Sequence, residues 1–231
     1  MSVGALSPRR DSAELVCGAL AGPLFVAVFT VLGAARRGYE WRRYPVSSLA
    51  VGRHGWWQRA NFIATGLLYW WAARGVKGCE RVEPRVVPAL VATTGIGLVG
   101  SGLFATDYVG DLVRDGADEN SCEAAISAPT GSTFAGRMHD LCGLPVFVGI
   151  PIAGFVSAGN AVSKGDHLWA AYSAGSSAAM SGGVLALRAA MRGHTRLRGK
   201  SGMVQRISIV AGFGWLTALS LRCLSAAKVD H

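Results

Sequence analysis

What this chain of 231 residues has little of is charge: Asp, Glu, Lys and Arg make up 16% of it, against 51% apolar residues. Soluble domains carry about 25% charged residues. With a mean hydropathy of +0.33, the composition speaks against a soluble enzyme and for a chain that passes repeatedly through lipid. The five cysteines contain no Cys-x-x-Cys pair, which excludes the usual zinc and dithiol spacings. The absence of a Gly-x-Ser-x-Gly elbow argues against serine hydrolysis. Neither an EF-hand loop nor an Asp-Asp-x-x-Asp pattern occurs, so no recognised divalent-cation motif is present. No long run alternates with period two, as the strands of a membrane barrel would. No metal and no cofactor are expected.

What is there is apolar length. Six runs, near residues 14–35, 56–76, 87–106, 140–160, 168–187 and 207–223, approach the roughly 20 residues that a bilayer crossing needs. Lipid supplies no hydrogen bonds, so each must close its own backbone as a helix. The expected fold is an all-α integral membrane protein. Residues 1–231 would form a single domain, a bundle of six transmembrane helices with three longer loops on one side. Small residues at helical spacing, Gly18 and Gly22 and the row Ser173, Ser177 and Ser181, predict close helix contacts. Arg9 and Arg10 precede the first run. Its length and the basic residues that follow it read as a span rather than a cleaved signal peptide.

The net charge is +9, but the basic residues flank apolar runs, where they orient spans and touch anionic lipid rather than nucleic acid. With six spans, segments 36–55, 107–139 and 188–206 share one side and carry most of the Lys and Arg. The positive-inside rule places that side in the cytoplasm. A heavy excess of arginine over lysine, with abundant alanine, fits a GC-rich bacterial source and a multi-pass location in the inner membrane. Cys17 and Cys223 fall in spans. Cys122 and Cys142 share the long-loop side, where a reducing compartment would keep them as thiols.

The long-loop side holds the distinctive segments: Pro45-Val46-Ser47-Ser48-Leu49-Ala50-Val51-Gly52, then Gly55-Trp56-Trp57-Gln58, Thr106-Asp107 closing the third run, His139 opening the fourth, and Gly202-Met203-Val204-Gln205-Arg206 before the sixth. Over roughly residues 40–222 these pieces resemble the uncharacterised six-helix bacterial membrane family catalogued as domain of unknown function nine-nine-eight. Tyr108 departs from the pattern, which commonly has proline after the aspartate, and the loop that follows is longer and more acidic. The resemblance implies the topology but assigns no reaction.

Asp107 is the first catalytic candidate. A carboxyl at the end of a long apolar run is a functional-site hypothesis, and desolvation would keep its proton for use as a general acid. The competing reading is a helix-end carboxylate paired with Arg137 or Arg43. His139 and Asp140 follow on the same side. His139 is a candidate proton shuttle for Asp107, and Asp140 is alternatively a helix-start charge favoured by the macrodipole. Candidate substrate contacts are Tyr44, Trp56, Trp57 and Phe104, whose ring faces would steady a cation, with Arg43 and Glu40 beside them. An interfacial anchoring belt is the other reading of these rings, with Tyr69, Trp70 and Trp71 as the opposite belt. Ser47 and Ser48 look like a helix cap or re-entrant turn rather than nucleophiles. The acids Asp107, Asp111, Asp115, Glu119 and Glu123 recur every fourth residue, as a solvated acidic loop, a lid or an oxygen-ligand site.

Three function classes remain open. The leading one is a membrane-embedded enzyme acting on a hydrophobic, prenylated or isoprenoid-type small molecule by acid-initiated cyclisation. In size, helix number and placement of acids, the chain is similar to small membrane-bound terpene cyclases, a likeness of architecture alone. The others are a non-catalytic assembly or stress protein and a lipid or small-molecule transporter. No inverted repeat and no deep midspan polar residue supports transport. In all three readings the partner is the lipid bilayer.

Overall fold

The computed structural model describes residues 8–107, 133–192, 194–197 and 199–229. Six long helices dominate: α1 (Pro8–Ala35), α2 (Gly55–Lys77), α3 (Val86–Leu103), α4 (Phe134–Ser163), α5 (His167–Met191) and α6 (Ser201–Val229). A short 3-10 turn, Val46–Ala50, lies between α1 and α2. No strand occurs among the described residues. Among the described residues four helices, within Ser12–Ala35, Val86–Leu103, Phe134–Ser163 and Ser201–Ala226, are long and apolar enough to cross a membrane. They are the helices of a multi-pass membrane protein. The other two have 23 and 25 residues but are more polar: Gln58, Arg59 and Asn61 enter the first turns of α2, and serines and Arg188 dilute α5.

Each helix packs on its neighbours in the chain, and α6 returns to pack on α1. The result is a closed ring in sequence order. Phe25 joins three of its members, with ring centroids 5.3 Å from Phe62 and 5.1 Å from Phe213. Lipid provides no hydrophobic drive between helices, so close backbone approach has to hold them. Helix α3 supplies it on both faces. A Cβ on Gly95 would lie 2.5 Å from the Gly66 carbonyl oxygen of α2, and one on Gly97 would lie 2.5 Å from the Cys142 carbonyl oxygen of α4. Of the small residues read from the sequence, Gly18, Gly22, Ser173 and Ser177 make close helix contacts. A Cβ on Gly18 would meet Ser220 Oγ at 2.4 Å, and Ser173 Oγ accepts from Trp215 Nε1 at 3.0 Å.

Helix α4 has two halves, Phe134–Leu144 and Ile150–Ser163, joined by a π turn at Pro145–Gly149. Pro145 lacks an N–H and breaks the regular ladder, and a wider turn is a common accommodation. The first half packs chiefly on α3, while the second half also packs on α5. The start of α4 and the end of α5 are therefore parted at the end of the ring that carries the long connections.

Three sequence expectations need correction. Helix α4 begins at Phe134 rather than near 140, because Thr133 Oγ1 caps it by accepting the Gly136 N–H at 3.0 Å. Gly202–Arg206 does not precede α6 but forms its first turns. Tyr69 is no belt residue: it is 1% exposed, with its ring edge-on to Phe213 at 5.6 Å. Trp70 and Trp71 are exposed as expected, and Arg74 lies 4.3 Å over the Trp70 ring. The readings made on Tyr108, Asp111, Asp115, Glu119, Cys122 and Glu123 lie outside the described residues. The other four cysteines are free thiols.

Candidate functional site

Two clasps frame the long-connection end of the ring. The first locks the end of α3 to the start of α4. An α-helix leaves its last carbonyls and first N–H groups unpaired, and near lipid these must find partners. Asp107, just past α3, accepts from the backbone N–H and the hydroxyl of Thr133 at 2.7 and 2.6 Å. Its carboxylate therefore sits at the positive end of α4. Gly136 makes this possible, since a Cβ there would fall 1.9 Å from an Asp107 carboxylate oxygen. In return, His139 Nδ1 of α4 lies 3.0 Å from the carbonyl oxygens of both Ser101 and Phe104. Arg59 of α2 completes the set, donating to the carbonyls of Gly102 and Leu103 at 2.8 Å each. Four carbonyls at the α3 terminus are thus satisfied by two side chains.

The second clasp joins the loop after α1 to the start of α6. Gln205 Oε1 accepts the Val46 N–H at 2.7 Å. Arg206 donates to the carbonyls of Trp41 and Tyr44 at 2.7 and 3.0 Å and to the Tyr39 hydroxyl at 2.6 Å. Burial pushes the Tyr39 phenol above its ordinary range, opposed by the Arg206 cation beside it. The N–H groups of Gly202 and Met203 reach the carbonyls of Arg43 and Arg42. Gly202 is required by close approach, because a Cβ would lie 2.2 Å from the Tyr44 carbonyl oxygen. Ser48 is fully buried within the 3-10 turn, and Arg36 donates to its carbonyl at 3.0 Å.

Between the clasps, inside the ring, lies a cavity of 450 Å³, a size suited to a small ligand. Its body is apolar, lined by Phe25, Phe62, Leu98, Val146, Ile209 and Phe213. Its polar groups gather at the long-connection end: Ser47, Ser101, Thr106, His139, Asp140, Arg188 and Gln205. Leu144, Val148 and Met191 line it while staying about half exposed on the outer surface. The cavity thus opens sideways where α4 and α5 part.

His139 is the chemically informative member. It is 8% exposed, and both partners of Nδ1 are carbonyl oxygens, which only accept. Nδ1 must therefore carry the proton, and in the neutral ring Nε2 keeps its lone pair. The helix ends thus fix the tautomer of a histidine in the cavity wall.

Of the catalytic candidates, His139 and Asp140 line the cavity, and Asp107 does not. Asp107 is exposed and committed to Thr133. Of the substrate candidates, Trp56 and Trp57 stack on each other at 3.7 Å and are 52% and 51% exposed. Tyr44 is buried against Tyr39, Phe104 packs on Phe134, Arg43 lies over the Tyr44 ring and Glu40 is exposed. None of these six is in the cavity lining. The cavity rings are Phe25, Phe62, Phe147 and Phe213, which in sequence look like ordinary core positions. Among the described residues no cluster of His, Cys, Asp or Glu is arranged to hold a metal ion.

The family described as a protein of unknown function (DUF998) matches residues 19–222. The chain belongs to this family. No curated protein and no solved structure matches it.

Proposed function

We propose that this chain crosses the membrane six times and acts as a membrane-embedded enzyme on a hydrophobic, isoprenoid-type substrate, with His139 as the proton-transferring group. The observation that carries this reading is His139 in the lining of an apolar cavity, at its polar end, with Nδ1 held by the Ser101 and Phe104 carbonyls. A substrate entering between α4 and α5 would bury its hydrocarbon among Phe25, Phe62 and Phe213 and leave its polar end at His139. A base held in a fixed tautomer beside a reacting hydroxyl or water is a common proton-transfer arrangement. Helices α2 and α5 match the other four in length and pack between them, which supports six crossings. The basic long-connection side then faces the cytoplasm of a bacterial cell.

Cyclisation started by Asp107 loses support, because that carboxylate is held outside the cavity. Asp140 lines it but is exposed. A second reading, a non-catalytic lipid-binding assembly protein, is favoured by one fact: most of the recognisable sequence segments are used up in the two clasps. The variant His139→Asn separates the two. Its amide still reaches the Ser101 and Phe104 carbonyls but transfers no proton. Comparative lipidomics of cells carrying either form should find a lipid that changes in abundance with His139→Asn. Unchanged lipids alongside unchanged protein levels would leave the assembly reading.

A further inference from the structure

We infer that the hydrocarbon ligand of the cavity carries a phosphate at its polar end, bound by Arg188, Arg192 and His194. This rests on the reading of the cavity as a site for a hydrophobic molecule and adds the chemistry of its headgroup. Arg188 lines two spaces at once: the apolar cavity and a surface depression formed with Arg192, His194 and Thr195 at the end of α5. Arg188 and Arg192 are four residues apart, hence on one helix face. Among the described residues neither is ion-paired and no acid lines the depression. Among the described residues Asp140 is the one carboxylate on the cavity rim, and it makes no ion pair with Arg188. A guanidinium pair presents planar forks that match phosphate oxygens, and basic pockets between helices at the cytoplasmic face suit phosphorylated lipid heads. An apolar chamber that ends in guanidinium groups fits a phosphate monoester on a hydrocarbon chain.

Purified full-length protein in neutral detergent would be titrated with farnesyl phosphate, farnesol, inorganic phosphate and dioleoyl phosphatidic acid, reading Kd and Tm. Farnesyl phosphate should bind at least tenfold more tightly than farnesol, and inorganic phosphate should not bind at the same concentrations. Arg188→Gln should erase most of that ratio without lowering the Tm of the free protein. A preference for farnesyl phosphate over phosphatidic acid identifies a single-chain source, and the reverse identifies a bilayer phospholipid. If farnesol binds as tightly as its phosphate, or if Arg188→Gln leaves the ratio unchanged, the phosphate assignment is wrong while the hydrophobic site stands. If no lipid binds and the cavity-filling Ile209→Trp changes nothing, the hydrophobic site itself is wrong.

Discussion

His139 Nδ1 lies 3.0 Å from the carbonyl oxygen of Phe104, the residue at which α3 ends. One contact does two things: it closes an unpaired helix terminus and fixes which nitrogen of the imidazole carries the proton in its neutral form. The stability of the fold and the chemistry of the site are therefore coupled through a single side chain, and substitutions there must be judged on both.

His139→Ala removes the donor and leaves two carbonyls short of a partner. A lost hydrogen bond with a buried group left unpaired costs about 1–3 kcal/mol. His139→Asn restores a donor and should recover most of that loss. Thermal unfolding of the detergent-solubilised variants would rank them wild type, Asn, Ala. Equal midpoints for Asn and Ala would mean that the bond to the α3 terminus adds nothing.

Asp107→Ala should lower stability by about 1 kcal/mol, the scale of a lost helix-start interaction. It should leave ligand binding per folded molecule unchanged, because the carboxylate is spent on Thr133. Binding that fails while the unfolding midpoint holds would restore Asp107 to the site.

Arg206→Lys conserves charge but not geometry. The guanidinium serves Trp41, Tyr44 and Tyr39 together, and a lysine ammonium cannot span the same fork. A destabilisation of about 1–2 kcal/mol is expected from the lost bonds. Gly202→Val strikes the same clasp from the other side, and overpacking of this kind costs about 1–3 kcal/mol. Wild-type midpoints in both variants would contradict the clasp.

Asp166, at the start of α5, is held below the usual carboxylate range, first by the Trp169 N–H and then by Arg222, whose guanidinium is 2.6 Å away. A lowered folded-state pKa favours the fold above the unfolded value of about 3.9, and the benefit is lost as pH falls through the folded value. The midpoints of wild type and Asp166→Asn should differ at pH 6 and converge toward pH 2–3. A gap that persists in acid would rule out the charge as its source.

Much of the scaffold was legible in the sequence. The apolar runs located the helices to within a turn or two, because lipid admits little besides helix. The glycines of α1 and the serines of α5 announced their close contacts. The segments around Ser47 and Gln205 stood out too, but not that they hold each other, since Val46 and Gln205 are 159 positions apart and no local pattern encodes that meeting. Asp107 drew attention by closing an apolar run, yet its partner Thr133 lies across 26 residues. The cavity was the least legible feature. Phe25, Phe62 and Phe213 occupy positions that would equally suit a filled core, and only the parting from α5 of the half of α4 that precedes Pro145 leaves space among them.

The most direct test is native mass spectrometry of the purified protein beside Val184→Trp, in which a bulky ring enters the cavity from α5. The account predicts that wild type retains a hydrophobic molecule of defined mass and that the folded variant has lost it. An equally occupied variant, or wild type that carries nothing under conditions preserving other lipid complexes, would contradict it.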